Sequence, residues 1–112
     1  MIETIVKNYL DDALDVSVFL EVPLNPPETY IVIEKTGSST ENHIITAMLA
    51  IQSVAGSMYE AAELNEYVKE AMENIVELGE IGRCDCNSDY NYTDTRLKNY
   101  RYQAVFDIVY YE

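Results

Sequence analysis

The residues of this chain best suited to chemistry are two cysteines and a single histidine. Cys84 and Cys86 are separated by one residue, so on a strand both thiols point to the same face. Zinc requires four ligands, often including a CxxC pair. Because His43 is far away in sequence and the ligand set is incomplete, we expect two reduced thiols and no metal or cofactor.

The hydroxyl groups of Ser38, Ser39 and Thr40 lie near His43 in sequence and raise the question of nucleophilic catalysis. That chemistry needs a nucleophile, a base and an oxyanion hole in fixed geometry. The sequence has no nucleophile-elbow motif, and its 4 glycines are scattered, so no phosphate-binding loop is recognisable. We therefore expect no enzymatic activity.

The charge is the strongest signal in the composition. Twenty acidic and 7 basic residues give a formal net charge of -13. Such a chain should repel nucleic acid, whose binding depends on clustered Lys and Arg. Disorder is not expected, because 48% of the residues are hydrophobic.

Part of this charge forms a regular pattern. Six glutamates follow one another at intervals of three or four residues and would form one stripe on a helix: Glu60, Glu63, Glu66, Glu70, Glu73 and Glu77. The stripe is interpreted either as a solvated helix face or as a surface for a basic partner or an acidic channel.

Tyrosine is the second unusual feature. The chain has 10 tyrosines and no tryptophan, and several lie in its last quarter. Tyrosine is enriched at protein interfaces because it combines apolar area with a polar tip. Tyr90, Tyr92 and Tyr111 are therefore candidate interface residues, the alternative being that some tyrosines cap the edge of a sheet.

The hydrophobic pattern predicts the elements that position these residues. A helix is expected over residues 2–14 from the i, i+3, i+4 spacing of its apolar residues. Alternation predicts strands at residues 16–22 and 29–36, then a turn or loop over 37–42. A long apolar strand follows at 43–54, although its Ala, Met and Leu residues would also suit a helix.

The second half of the chain has a clear helix start at Ser57, where Ser57 and Glu60 form a capping box. A helix is predicted over 58–78, ended by Gly79, and then a strand over 81–88. A polar connection at 89–99 leads to a last strand at 100–111. The prediction is a single α+β domain, residues 1–112, of order α-β-β-β-α-β-β, with two helices on one mainly antiparallel sheet.

The sequence shows no recognisable targeting pattern. No apolar stretch approaches the ~20 residues that span a bilayer. The first residues lack a basic start followed by an apolar run, so no secretory signal is recognisable. We expect a chain made in the cytoplasm with no membrane partner.

Nearly the whole chain resembles a known family in its order of elements and in several short segments. These segments are Pro26-Pro27, Tyr30-Ile-Val-Ile-Glu-Lys-Thr-Gly37, Ile51-Gln-Ser-Val-Ala55, a helix with Ala61, Ala62 and Leu64, and Arg101-Tyr102-Gln103. They resemble the tail-completion or tail-to-head joining proteins of long-tailed bacteriophages, which are related in fold to tail terminators.

The resemblance implies a non-enzymatic virion subunit that forms a ring, expected to be a hexamer, at the head-proximal end of the tail. It would terminate the tail tube and join the tube to the head connector. A head-completion role and a connector role are alternatives that the sequence does not distinguish from this one. The segment 89–99 and the predicted loop would contact those partners, the loop residues being Gly37, Ser38, Ser39, Thr40 and Glu41.

An alternative function comes from another class of protein. The net charge and the glutamate stripe are also typical of an acidic inhibitor that mimics DNA and occupies a nucleic-acid-binding protein.

Overall fold

The computed structural model describes residues 1–111 and has the predicted α+β architecture. Two helices pack on a five-stranded sheet of strand order β1-β2-β3-β5-β4. The elements are α1 Ile2–Ala13, β1 Ser17–Phe19, β2 Tyr30–Glu41, β3 Ile44–Val54, α2 Met58–Glu73, β4 Ile81–Asn91 and β5 Arg101–Tyr111. All strand pairs are antiparallel except β1 with β2.

One hydrophobic core joins both helices to one face of the sheet. From α1 it takes Ile2, Val6 and Leu10, and from α2 it takes mainly Leu64, Val68 and Met72. These residues follow the helical spacing seen in the sequence, so each helix presents one apolar side to the sheet. The sheet contributes Ile31, Ile33, Ala47, Leu49, Ile51, Ala104, Phe106 and Ile108.

The loop predicted over residues 37–42 is wrong. Residues Gly37 to Glu41 belong to β2 and pair with β3 down to the contact of Glu41 with Ile44. The turn consists of Asn42 and His43, whose φ angles of 52° and 67° are those of a tight two-residue hairpin turn. The Ser- and Gly-rich composition of this segment is typical of a loop. The segment forms a strand because it pairs with β3, and that pairing is not apparent from its own residues.

Three predicted boundaries also differ from the structure. β1 is only three residues long, since it pairs only with Tyr30, Ile31 and Val32 of β2. β4 continues to Asn91, beyond the predicted end at residue 88.

The third difference is the end of α2 at Glu73, followed by a 3-10 turn at Ile75–Glu77. The side chain of Asn74 donates to the Glu70 carbonyl at 3.3 Å and competes with the helical pattern there. Asn74, and not Gly79, therefore follows the last residue of this helix.

The predicted start of α2 is confirmed. Ser57 is the N-cap, and its hydroxyl accepts a hydrogen bond from the Glu60 backbone N–H at 3.1 Å. This bond satisfies one of the free N–H groups of the first turn. The strand interpretation of residues 43–54 is also confirmed, as β3 is the central strand between β2 and β5.

Candidate interaction surfaces

The sheet has two unlike faces. The face under the helices, called here the covered face, carries the core residues Leu49, Ile51 and Phe106. Because side chains alternate along a strand, their neighbours point to the opposite side, called here the helix-free face. On β3, β5 and β4 it consists of Ile44, Thr46, Met48, Ala50, Gln52, Val54, Arg101, Gln103, Val105, Asp107, Val109, Tyr111, Arg83, Asp85, Ser88 and Tyr90. Val54 is buried there in a small second cluster with Tyr30 and Val32 of β2.

Two of the tyrosines predicted at an interface meet at one end of the helix-free face. The rings of Tyr90 and Tyr92 are 6.0 Å apart and nearly perpendicular. The Arg101 guanidinium lies 4.5 Å from the centre of the Tyr92 ring, and its Nε donates to the Tyr92 carbonyl at 2.8 Å. This stacking and hydrogen bonding fix the position of the Arg101 side chain.

Two glutamines extend this cluster across the strands. The Gln103 side chain donates to the Tyr90 hydroxyl, and Gln52 donates to Gln103 at 3.0 Å. We call Tyr90, Tyr92, Arg101, Gln103 and Gln52 the tyrosine–arginine cluster. Tyr and Arg dominate the energetics of many protein interfaces, and Arg101 and the glutamines were not among the sequence candidates because their approach depends on the register of β4 and β5.

The third predicted tyrosine, Tyr111, lies at the other end of β5, roughly 33 Å away at the usual rise per residue. It is 53% exposed and pairs with Ile44, which is 43% exposed; Met48, 39% exposed, lies farther along β3 opposite Asp107. Its hydroxyl lies over Gly82, where an added Cβ would be 2.7 Å from the Tyr111 oxygen. Gly82 therefore provides the space that the Tyr111 ring occupies.

On β3, β5 and β4 the helix-free face carries two arginines, Arg83 and Arg101, and two aspartates, Asp85 and Asp107, so its formal charges balance. Arg83 contacts Asp85 at 2.6 Å, and Asp107 accepts a hydrogen bond from Asn87 at 3.0 Å. By contrast, all six glutamates of the predicted stripe are exposed on the helix side of the molecule, Glu77 being in the 3-10 turn. Of these, Glu66 forms an ion pair with Lys69 at 2.8 Å.

Lys69 also links the helix to the sheet. Its Nζ lies 3.3 Å from Asp89 of β4, and Asp89 accepts a hydrogen bond from the buried Asn65. The bond to Glu66 is the largest of the effects that raise the pKa of Lys69. The cation therefore belongs to a local network that connects α2 to β4.

The two cysteines lie on the helix side of β4, on one face as predicted. Cys84 is half-buried, and burial raises its pKa to about 12. Cys86 is exposed, and partial burial also raises its pKa. Both thiols are thus protonated at neutral pH. Within residues 1–111 they do not meet enough other His, Cys, Asp or Glu side chains to form a metal-binding group, and His43 is at the hairpin turn.

The segments predicted to contact partners are placed at opposite ends of the sheet. The outer half of β2, from Glu34 onward, is exposed and forms an arm of the hairpin that includes residues 37–41. The segment 89–99 begins inside β4 and continues into a turn closed by mutual backbone hydrogen bonds of Asp94 and Asn99 at 3.1 Å. Their roles as contacts remain predictions.

A further aromatic groove lies on the outer side of α2. It has an open volume of about 500 Å³ and is lined by Tyr59, Ala62, Glu63, Glu66, Tyr67 and Tyr102. Tyr59 and Tyr67 were not among the sequence candidates. Their spacing of eight residues, which places both on the outer side of a helix, was the signal that could have identified them.

No family model matches the chain, and no curated protein matches it either. No helix in the part of the chain that the structure describes is long and apolar enough to cross a membrane.

Proposed function

We propose that this chain is a structural subunit of a phage tail that binds other protein subunits through the helix-free face of its sheet. The observation that carries this proposal is the exposed part of this face, with Ile44, Met48 and Tyr111 and a pre-ordered tyrosine–arginine cluster, beside the small buried cluster of Tyr30, Val32 and Val54. Large apolar side chains grouped on one surface are typical of an interaction site.

The size of this face supports the proposal that its partner is a protein. Four long strands of about eleven residues present a face of roughly 700 Å² at the usual strand spacing and rise. A stable protein–protein interface buries about 800 Å² on each partner. Part of the face, at Tyr30, Val32 and Val54, is already buried within the chain, so the free remainder is at the lower end of what one partner contributes.

The charge distribution favours the same face. Subunits with a net charge of -13 repel one another, and the helix side carries the exposed glutamates. On the helix-free face Asp85 is paired with Arg83. Repulsion between copies is therefore smallest when this face takes part in the contact.

The sequence resemblance supplies the more specific part of the proposal. The subunit would form a ring, expected to be a hexamer, at the head-proximal end of the tail. There it would stop growth of the tail tube and join the tube to the head connector. Catalysis has no part in this role, which is that of a minor structural protein of a virion.

The first experiment is to measure the mass of the purified protein by light scattering after size exclusion, over a range of protein and salt concentrations. Salt weakens the repulsion between acidic subunits, so the ring should form more readily as salt is raised. We expect a discrete oligomer near six times the 12.8 kDa chain mass.

A pair of lysine substitutions tests whether the helix-free face carries the contact. Met48→Lys places a charge on that face, whereas Val76→Lys places one on an exposed residue of the 3-10 turn after α2. We expect only Met48→Lys to reduce the mass. A monomer under all conditions that also fails to join tails lacking this protein would contradict the proposal, as would an unchanged mass for Met48→Lys.

The exposed glutamates favour a second candidate function, an acidic inhibitor that imitates DNA. Glu63, Glu66, Glu70 and Glu73 lie along one exposed side of α2. In this case the protein would bind a DNA-binding enzyme tightly as a monomer, and added DNA would compete. Absence of such competition would remove this alternative.

A further inference from the structure

The aromatic groove on α2 lies away from the helix-free face and has features of a binding site for a cation. Tyr59 and Tyr67 are 76% and 52% exposed, so each offers a large accessible aromatic surface. Tyr102 of β5 and Ala62 of α2 complete the apolar part of the groove. Aromatic rings attract cations to their faces, with an affinity that increases as the site is desolvated.

Two carboxylates in the groove add charge to this aromatic surface. Glu63 has no ion pair within residues 1–111, and Glu66 shares Lys69 with Asp89. The groove thus combines three tyrosine rings with more negative than positive charge. An anion would be repelled, and a purely apolar ligand would leave the Glu63 carboxylate without a partner.

The aromatic rings and carboxylates that line the groove favour a planar cation. A guanidinium group is planar, weakly hydrated and able to stack on a ring while it donates hydrogen bonds to carboxylates. The molecule has this packing elsewhere, where Arg101 lies 4.5 Å above the Tyr92 ring. A lysine ammonium would meet the charge of the groove but would not stack in this way.

We propose that the groove formed by Tyr59, Tyr67, Tyr102, Glu63 and Glu66 binds an arginine side chain presented by a partner protein. This inference does not rest on ring formation, because it concerns the opposite side of the molecule. It assigns to α2 a local recognition site, in contrast to a general attraction between the acidic helix and any basic surface.

The test uses a short peptide as the probe, N-acetyl-Gly-Arg-Gly-amide, with the same peptide containing neutral citrulline as the ligand control. Both are titrated into the full chain while the ring signals of Tyr59, Tyr67 and Tyr102 are followed by NMR. We expect saturable shifts with the arginine peptide and none with citrulline. Tyr67→Leu should weaken binding about two- to five-fold, the loss typical of an exposed cation–π contact.

A matched pair of charge variants separates a site from diffuse attraction. Glu63→Gln with Glu66→Gln removes two charges from the groove, and Glu73→Gln with Glu77→Gln removes two from the same exposed row outside it. We expect the first pair to weaken binding and the second to leave it nearly unchanged. Equal weakening by both pairs, or full binding by Tyr67→Leu, would overturn the proposal. If Tyr67→Leu does not fold, as judged by circular dichroism, Tyr59→Leu provides the same test.

Discussion

The covered face and the helix-free face are built from the same strands, yet they differ in almost every physical respect. On the covered face Leu49, Ile51 and Ile108 are fully buried beneath the helices. On the helix-free face their sequence neighbours Met48 and Val109 are exposed or half-buried. A single period-two pattern thus gives one face that stabilises the fold and another that remains available for a partner.

The polar groups of the two faces differ in the same way. Tyr9 donates to the Ala71 carbonyl at 2.8 Å and joins the two helices over the covered face. On the helix-free face Tyr90 and Gln103 form their bond in contact with water. Side chains of similar size and chemistry should therefore contribute to folding on one face and to binding on the other.

The largest predicted difference in the free energy of unfolding is between two variants of β3, each with one side chain truncated on one face of the sheet. Ile51→Ala should lower the free energy of unfolding by about 2–5 kcal/mol, because it leaves a cavity in the core. Met48→Ala removes a side chain that is 39% exposed and should cost less than about 1 kcal/mol. Urea unfolding of both variants measures the difference. Equal losses would mean that the helix-free face is part of the stabilising core.

A second prediction concerns the fit between Gly82 and Tyr111 at the end of the helix-free face. Gly82→Ala should destabilise the fold by about 1 kcal/mol, because the new methyl group meets the Tyr111 ring and must displace it. In a Tyr111→Ala background that contact is gone, and Gly82→Ala should become neutral or stabilising by about 0.4–1 kcal/mol, since alanine restricts the unfolded chain.

A double-mutant cycle in urea measures this change of sign. The control is Gly79→Ala, because an added Cβ at Gly79 has no atom within 4 Å. Additive effects of the Gly82 and Tyr111 substitutions would contradict the packing described for this pair.

Much of the fold could be predicted from the sequence because its local and long-range preferences agree. The apolar spacing of α1 and α2 and the alternation in β5 are strong, and the predicted order of elements is the observed one. The outer half of β2 was missed because its Ser, Thr and Gly residues have little preference of their own. They form a strand because β3 provides the hydrogen-bonding partner.

The candidate surfaces were predicted less completely, for a related reason. The exposed glutamates and the tyrosines Tyr90 and Tyr92 followed from spacing and composition. The position of Arg101 over Tyr92 depends on the pairing of Asn91 with Tyr102, which sequence alone does not supply. Tyr102 similarly joins Tyr59 and Tyr67 only because α2 packs across β5.

The smallest predicted difference in the free energy of unfolding is between removing two tyrosine hydroxyl groups that lie on opposite sides of the sheet. Tyr9→Phe leaves the part-buried Ala71 carbonyl without its donor and should cost about 1 kcal/mol. Tyr90→Phe should change the free energy of unfolding by less than about 0.5 kcal/mol, because water replaces the hydroxyl beside Gln103. Thermal or urea unfolding of the two variants, each retaining the aromatic ring, gives the comparison. A larger loss for Tyr90→Phe would show that the tyrosine–arginine cluster stabilises the isolated subunit, and the contrast between a folding face and a binding face would then fail at this end of the sheet.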